Sequence, residues 1–190
     1  MYKTLKEVTQ TATQLNMTIG AFNTHNLEMM PEMIRAAKEL GVPIIIQTSI
    51  ATAKYIGYKV MVTVAKEMAE DEMVDVCLHL DHAKDFDEIK AAIDAGFSSV
   101  MFDGSALPFK ENIAKTKMVV AYAHAHGASV EGELGTIGGT EEGICVSEDD
   151  KKYTRPQDAA IFVKETNVDA LAIAIGTNHG QYQSKTEVNI

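Results

Sequence analysis

Tryptophan is absent from this sequence of 190 residues, and cysteine, proline and long apolar runs are scarce. The two cysteines, Cys77 and Cys145, show no paired spacing, which excludes a disulfide-stapled fold and favours a reducing compartment. No apolar run approaches the roughly 20 residues that span a bilayer. The first five residues also lack the apolar core of a signal peptide. We therefore expect a cytoplasmic protein with no membrane partner.

Basic residues are also fewer than acidic residues. Lys and Arg number 17 against 27 Asp and Glu, so the formal net charge is -10. Sequence-independent binding to nucleic acid needs clustered basic side chains against the phosphates, and this composition therefore excludes nucleic acid as a partner. Apolar residues are plentiful at 46%. A chain of this length can bury one substantial core, and we expect residues 1–190 to form a single domain.

Short apolar runs alternate with segments that carry apolar residues at helical spacing. The predicted strands are 17–23, 43–49, 76–81, 99–102, 129–133 and 170–175. The predicted helices are 27–40, 58–68, 86–95, 111–126 and 156–166. Asp85 is the expected N-cap of the third helix, with Glu88 completing a capping box. Strands that are apolar on both faces and alternate with helices are typical of parallel sheets.

The predicted fold is a (β/α)8 barrel of which about six βα units are present. A Rossmann-type sheet is disfavoured because residues 21–25, after the first strand, do not form a glycine-rich phosphate turn. A full barrel typically needs about 250 residues. Because the sequence ends at Ile190, we expect strands seven and eight to be missing and the first and sixth strands to have open edges.

Acid/base and metal-binding side chains recur where the predicted strands end, which is the active-site face of such barrels. They are Asp81 at the end of the third strand and His82 just past it, Asp103 after the fourth, Glu133 at the end of the fifth and His179 after the sixth. Two histidines with two carboxylates between them form a mixed nitrogen and oxygen set that suits zinc. The alternative is that His82 caps the next helix and Asp81 pairs with a lysine.

The other histidines have structural interpretations. Strand alternation places Cys77, His79 and Asp81 on one face, and His79 lies one step deeper, as expected of a hydrogen-bonded core histidine. His25, His124 and His126 are also expected to be structural. For the glycine-flanked acidic segment 138–143, a solvated loop is the more common explanation, and a lid that delivers a carboxylate is the functional alternative.

Taken together, these motifs resemble the class II, metal-dependent ketose-bisphosphate aldolases. The matching segments are Ala21-Phe22-Asn23, His79-Leu80-Asp81-His82, Met101-Phe102-Asp103-Gly104-Ser105, Val130-Glu131-Gly132-Glu133-Leu134-Gly135, Gly138-Gly139 with its acidic loop, and Ile175-Gly176-Thr177-Asn178-His179-Gly180. They follow the family's order and spacing and cover nearly the whole chain. The resemblance implies a (β/α)8 barrel, a catalytic Zn2+ ion and a homo-oligomer.

The resemblance also implies a role for each matching residue. His82 and His179 would be zinc ligands, and Asp103 and Glu133 would hold or orient an alternative metal position. Asp81 would exchange a proton with the C4 hydroxyl of the substrate. Glu141 would remove the proton next to the carbonyl. Asn23, Ser49 and Gly180 would contact the substrate.

Three departures from the family pattern leave the function open. The family's third zinc histidine and its phosphate-binding segments belong to strands seven and eight, and this sequence contains no matching segments. Gln183 replaces a lysine that often follows the His-Gly turn, and 50–52 departs from the usual acidic or glycine-rich stretch. The expected function is reversible cleavage of fructose or tagatose 1,6-bisphosphate to dihydroxyacetone phosphate and glyceraldehyde 3-phosphate. The alternatives are a non-catalytic subunit completed by a partner, and a related aldolase for another phosphorylated ketose.

Overall fold

Parallel strands that alternate with helices form the frame of the molecule. The computed structural model describes residues 1–141, 144–146, 153–180 and 188, without the side chains of 139–141 and 144–146. Its strands are β1 (Ala21–Asn23), β2 (Ile44–Thr48), β3 (Val76–Ala83), β4 (Ser99–Phe102), β5 (Ser129–Leu134), β6 (Gly138–Glu141), β7 (Ile144–Val146), β8 (Ala170–Ile173) and β9 (Asn178–His179). Six of them form one parallel sheet in the order β1-β2-β3-β4-β5-β8.

Helices follow the strands as a (β/α)8 pattern requires. They are α1 (Leu5–Gln14), α2 (Met29–Leu40), α3 (Ile50–Ile56), α4 (Tyr58–Glu72), α5 (Phe86–Ala95), α6 (Phe109–Ala125) and α7 (Pro156–Thr166). The prediction of a partial barrel with six βα units is confirmed. None of the helices in the described part of the chain combines the length and apolar character that a membrane span needs.

Two helices and a small sheet differ from the prediction. The sequence patterns did not predict α1 or α3, although Thr4 and Glu7 form a reciprocal capping box at the start of α1. Part of the predicted acidic loop forms strands instead, and β6 pairs antiparallel with β7 and parallel with β9. The first predicted strand, 17–23, is shorter than expected and covers only Ala21–Asn23.

The alternation predicted for β3 is confirmed by its packing. Leu78 and Leu80 are fully buried in the main core between the sheet and the helices. Cys77 instead packs with Ile45 of β2 and with Leu5 and Val8 of α1 in a second buried cluster. Helix α1 therefore covers the amino-terminal end of the barrel interior, and the residues above Cys77 on the same face of β3 point toward the carboxyl-terminal rim.

The capping prediction for α5 is half right. Asp85 is its N-cap, but the side chain accepts a hydrogen bond from the Asp87 backbone N–H, at 2.7 Å. Glu88 does not complete a capping box. Its carboxylate accepts a hydrogen bond from the Tyr58 hydroxyl, at 3.0 Å, and pairs with the Lys54 ammonium group. These two partners from α3 and α4 draw Glu88 away from the backbone of its own helix.

Both outer strands of the large sheet have an open edge. Within the described residues, β1 pairs only with β2, and β8 pairs only with β5. Phe22 on β1 is 52% exposed and Ile173 on β8 is 43% exposed. An apolar cavity of about 220 Å³ lies beside β1 and is lined in part by Met17 and Leu40. These apolar surfaces lie where a closed barrel would continue.

Candidate active site

Three predicted metal-binding residues meet at the carboxyl-terminal rim of the sheet. His82 Nδ1 lies 3.4 Å from Asp103 Oδ2 and 3.5 Å from Glu133 Oε2. One ligand atom from each residue lies within 4.8 Å of the others. The residues come from the ends of β3, β4 and β5, which are neighbours in the sheet. Parallel pairing therefore brings together side chains that are far apart in the sequence.

The backbone of β3 explains how His82 reaches this position. The register between β3 and β4 shifts between Leu80 and Ala83, and His82 has a positive φ of 48°. Such a bulge breaks the strict alternation of side chains and can redirect a side chain next to an active site. Asp81 and His82 both lie at the rim for this reason, whereas a regular strand would point one of them at the helices. Asp85, rather than His82, caps α5.

Asp103 remains a carboxylate in this cluster. Burial by itself raises the pKa of Asp103, but hydrogen bonds from His82 and Ser105 and the nearby Lys84 ammonium group outweigh burial and hold it well below its usual range. The Ser105 hydroxyl donates to Asp103 Oδ1 at 2.6 Å, and the Ser105 backbone N–H donates at 3.1 Å. The site therefore has one fixed anionic ligand.

Glu133 is the most deeply buried member of the cluster, and its environment fits a cation. Burial, followed by repulsion from Asp103, raises the pKa of Glu133 to about 8. Its Oε2 atom is buried and accepts no hydrogen bond within the described part of the chain. A buried carboxylate oxygen without a donor is costly unless a proton or a cation compensates it. The histidine and two carboxylates therefore form a suitable donor set for a divalent metal.

His179 approaches the cluster from a different element. It lies on β9, which pairs with β6 rather than with the large sheet. Its ring contacts the His82 ring edge to face, with centroids 5.6 Å apart. Gly176 and Gly180 on either side have φ angles of 107° and 74°, which are strained for residues with a Cβ. The turn around His179 therefore depends on these glycines.

Asp81 lies beside the cluster with its orientation set by β2. Gln47 Nε2 donates a hydrogen bond to Asp81 Oδ2 at 2.7 Å. The other carboxylate oxygen, Oδ1, is 4.0 Å from His82 Nε2. The sequence patterns missed Gln47, although it is the one polar side chain in the run 44–47 and follows Ile45 by two positions on the inward face.

Glu131 is a second residue that sequence reasoning missed. Its Oε2 atom is 3.3 Å from Nε2 of His79. Burial, followed by repulsion from Asp81, raises the pKa of Glu131 to about 7. The signal was its position two residues before Glu133, which places both carboxylates on the inward face of β5.

His79 is the hydrogen-bonded core histidine that was predicted. It is 1% exposed, and its Nδ1 atom forms a hydrogen bond with Ser99 Oγ at 2.8 Å. Burial and the neighbouring His82 lower the pKa of His79 to about 3, so the imidazole is neutral.

The remaining histidines lie outside the cluster. His124 Nε2 is 2.8 Å from Asp169 Oδ2, and His126 stacks on Tyr122. His25 lies in an exposed position just after β1.

The predicted substrate-contact and lid residues have more varied positions. Asn23 is exposed on β1, in register with Gln47. Ser49 is the N-cap of α3 and accepts a hydrogen bond from the Thr52 backbone N–H. Gly180 directly follows His179 and is exposed. The backbone of Glu141 belongs to β6, but its side chain is outside the description, as is all of Gln183. The roles of these residues stay predictions.

Comparisons with known proteins agree in sequence and in fold. Residues 3–190 match the family model described as fructose-bisphosphate aldolase class-II. A protein from Giardia intestinalis named fructose-bisphosphate aldolase is 46% identical, over 98% of this chain and 57% of its own length. The chain thus spans little more than half of that relative.

Two solved structures share the fold. The YdjI aldolase from Escherichia coli K12 is 34% identical with a TM-score of 0.84, and the match covers 100% of this chain and 66% of that protein. A fructose-bisphosphate aldolase from Campylobacter jejuni is 28% identical with a TM-score of 0.75, covering 97% of this chain and 61% of that protein. Both matches span nearly all of this chain.

Proposed function

Because the chain belongs to the class II fructose-bisphosphate aldolase family, we propose that it reversibly cleaves a ketose 1,6-bisphosphate, of fructose or tagatose. The products are dihydroxyacetone phosphate and glyceraldehyde 3-phosphate. The observation that carries the proposal is the meeting of His82, Asp103 and Glu133 at the carboxyl-terminal rim, with a buried oxygen of Glu133 that accepts no hydrogen bond from the described residues. A cytoplasmic location and a homo-oligomeric assembly belong to the same proposal.

The proposal assigns a Zn2+ site to this rim. His82 and His179 are its histidine ligands, and Asp103 and Glu133 hold or orient an alternative position of the ion. The edge-to-face contact of the two histidine rings supports their shared role. A bound zinc ion supplies Lewis-acid stabilisation of the negative charge that develops when the C3–C4 bond breaks. No Schiff-base lysine is then needed.

Asp81 is proposed to exchange the proton of the C4 hydroxyl. Cleavage requires that this proton leave while the C3–C4 bond breaks, and a carboxylate within hydrogen-bond reach can accept it. Gln47 donates to Oδ2 of Asp81, which limits rotation of the carboxylate and directs Oδ1 toward the rim. In the reverse direction Asp81 returns the proton to the new hydroxyl.

The remaining predicted residues act on the other parts of the substrate. We assign to Glu141 the transfer of the proton at the carbon next to the carbonyl. Asn23, Ser49 and Gly180 are proposed to contact the substrate, with Gly180 beside the dihydroxyacetone phosphate end. The pairing of β6 with β9 supports this arrangement. Gly139 pairs with His179, and this places the strand that contains Glu141 next to the proposed histidine ligand.

A second candidate is a barrel subunit that acts only when another polypeptide segment completes it. The open edges of β1 and β8, with the apolar side chains beside them, favour this alternative. A related aldolase for another phosphorylated ketose is the third candidate, and it shares the same metal chemistry.

The test is release of dihydroxyacetone phosphate from fructose and tagatose 1,6-bisphosphates, with bound zinc measured on the same sample. Cleavage that a chelator abolishes and zinc restores is the expected result. Zinc bound without cleavage of either sugar would contradict the substrate assignment and favour another phosphorylated ketose. Absence of both zinc and cleavage would favour the subunit that needs a completing segment.

A further inference from the structure

A buried side-chain amide lies between the strand ends that carry two of the proposed metal ligands. Asn112, near the start of α6, is 1% exposed, although asparagine is usually a surface residue. Its Nδ2 atom donates a hydrogen bond to the main-chain oxygen of Glu133 on β5, at 2.9 Å. Thr116, fully buried one turn further along α6, donates its hydroxyl proton to Asn112 Oδ1 at 3.0 Å. The amide is therefore held by hydrogen bonds at both of its polar atoms.

The main-chain oxygen of Glu133 takes this donor because β4 ends before β5 does. Successive carbonyls of a parallel strand point toward opposite neighbours. The Leu134 carbonyl accepts a hydrogen bond from the Ala174 backbone N–H on the β8 side, so the Glu133 carbonyl faces β4. Strand β4, however, ends at Phe102, and its pairing with β5 stops one residue before Glu133. Asn112 thus supplies the donor that a longer β4 would have provided.

The other side of the amide packs on the backbone that follows Asp103. A Cβ atom on Gly104 would lie only 2.2 Å from Asn112 Oδ1, so any side chain at position 104 would displace the amide. Gly104 directly follows Asp103, whose carboxylate is fixed by the hydroxyl and the backbone N–H of Ser105. Asn112 therefore contacts the chain beside one proposed ligand and is hydrogen-bonded to the backbone of the other.

We propose that Asn112 is a positioning residue for the metal site. Its amide holds the end of β5 against the end of β4 and thereby sets the position of the Glu133 carboxylate relative to Asp103 and His82. Glu133 Oε2 lies 3.5 Å from His82 Nδ1, and Asp103 Oδ2 lies 3.4 Å from the same atom. Metal ligands must stay within about 0.2 Å of their preferred distances, so a small displacement of β5 would weaken the site. This inference rests on the proposed function, because the metal site belongs to that function.

The first experiment compares crystal structures of the metal-free proteins. Asn112→Leu keeps the branched shape of the side chain but removes the donor, and Asn112→Ala removes the donor without adding bulk beside Gly104. In both variants we expect the Glu133 carboxylate to move away from His82, while Asp103 stays in place through its hydrogen bonds with Ser105. An unchanged Glu133 position in both variants would overturn the proposal, whether or not the protein binds zinc or cleaves any sugar.

The second experiment measures zinc affinity by competition with a chromophoric chelator. Both Asn112 variants are expected to bind zinc about tenfold to a hundredfold more weakly than the unaltered protein, which is the usual effect of removing a residue that orients a metal ligand. Asn112 itself is outside the group of His82, Asp103 and Glu133, so the loss would act through the position of Glu133. Unchanged zinc affinity in both variants would overturn the proposal.

A matched control separates positioning from a general loss of stability. Thr166→Val removes a buried hydroxyl that donates to the Phe162 main-chain oxygen at 2.7 Å, at the end of α7 that leads into β8 and lies far from the rim. This variant should lower the free energy of unfolding, measured in urea, but leave zinc affinity unchanged. A loss of zinc affinity as large as that of the Asn112 variants would overturn the proposal. Absence of zinc binding by the unaltered protein would instead refute the proposed metal site, and the crystal structures would still test whether Asn112 positions Glu133.

Discussion

At the scale of single residues, the site depends on a backbone conformation that most side chains avoid. His82 has a φ of 48° within β3, and such left-handed conformations cost of order 1 kcal/mol or more for a residue with a Cβ. They persist where the surrounding structure determines them, and here the pairing of β3 with β4 resumes at Ala83, directly after His82. The strained residue is also a member of the proposed metal site, which is where such strain is commonly found.

Removal of either proposed histidine ligand should release zinc. We expect His82→Ala and His179→Ala to lower zinc affinity by at least about tenfold, because each removes a neutral imidazole donor from a small ligand set. Zinc titration followed by calorimetry measures the effect. His126→Ala is the matched control, since its ring stacks on Tyr122 away from the cluster, and it should bind zinc normally. Unchanged zinc binding in both of the first two variants would refute the ligand assignment.

Sequence reasoning located the proposed metal ligands but missed the neighbouring Glu131. His82, Asp103 and Glu133 each follow or end an apolar run, and parallel pairing of neighbouring strands then brings them together. His179 approaches from the smaller sheet, which the sequence patterns did not predict. The apolar pattern of the sequence did not predict the bulge at His82, because the bulge arises from the pairing of β3 with β4. Glu131 was missed because the neighbouring His79 belongs to a different strand, and the distance between the two side chains depends on the curvature of the sheet.

At the scale of secondary structure, local sequence signals and tertiary packing contribute to helix formation in proportions that differ from one helix to the next. The six strands and, apart from α3, the helices between them follow from apolar periodicity, and Gly41 and Gly96 end α2 and α5 in left-handed conformations. Helix α1 is rich in threonine, and its stability depends on burial of Leu5 and Val8 against the strands, which local propensity does not show. Contacts with Tyr58 and Lys54 likewise draw the Glu88 side chain away from the capping position predicted for it.

The N-cap of α5 provides a test of this local contribution. Asp85→Ala removes the acceptor for the Asp87 backbone N–H, and we expect a loss of about 1 kcal/mol in the free energy of unfolding. Urea denaturation measures it. Glu28 occupies the N-cap of α2 without a side-chain capping hydrogen bond, so Glu28→Ala is a matched control with little expected effect. Equal losses in the two variants would show that the Asp85 hydrogen bond does not stabilise α5.

Asp169 joins several elements through one buried carboxylate. It accepts hydrogen bonds from the Val130 backbone N–H at 2.9 Å and from His124 Nε2 at 2.8 Å, and it pairs with Lys6 of α1 at 3.2 Å. Burial by itself raises the pKa of Asp169, but these partners outweigh burial and lower it. The carboxylate therefore stabilises the fold above its unfolded pKa of about 3.9, and that stabilisation is lost as pH falls through the lower, folded pKa.

Asp169→Asn should reveal this linkage. At neutral pH the variant is expected to lose about 1–3 kcal/mol, because Asn keeps the shape but loses charged hydrogen bonds. The difference between the two proteins should shrink on acidification below about pH 4, as the carboxylate becomes protonated. Denaturation of both proteins at several pH values measures the difference in their free energies of unfolding. A difference that is constant from pH 7 to pH 3 would refute the assignment.

At the scale of the whole molecule, the two edges of the large sheet determine how the polypeptide is expected to associate. The matches cover between 57% and 66% of the relatives described above. In a closed barrel further strands would cover β1 and β8, whereas within the described residues the outer edges of both strands are unpaired, with Phe22 and Ile173 beside them. Unpaired strand edges with exposed apolar side chains are templates for pairing with another chain.

The 190-residue polypeptide is therefore expected to self-associate through these edges as its concentration rises. A charged side chain at an edge opposes such pairing, so Phe22→Lys and Ile173→Lys should each shift the association to higher concentration in sedimentation velocity. Met118→Lys is the matched control, because Met118 is 60% exposed on α6, away from both edges. If Met118→Lys reduced association as much as the edge variants, general surface charge rather than edge pairing would explain it. A monomer at every concentration would show that the edges are protected, and residues outside the described part would then be the first place to look for the protecting segment.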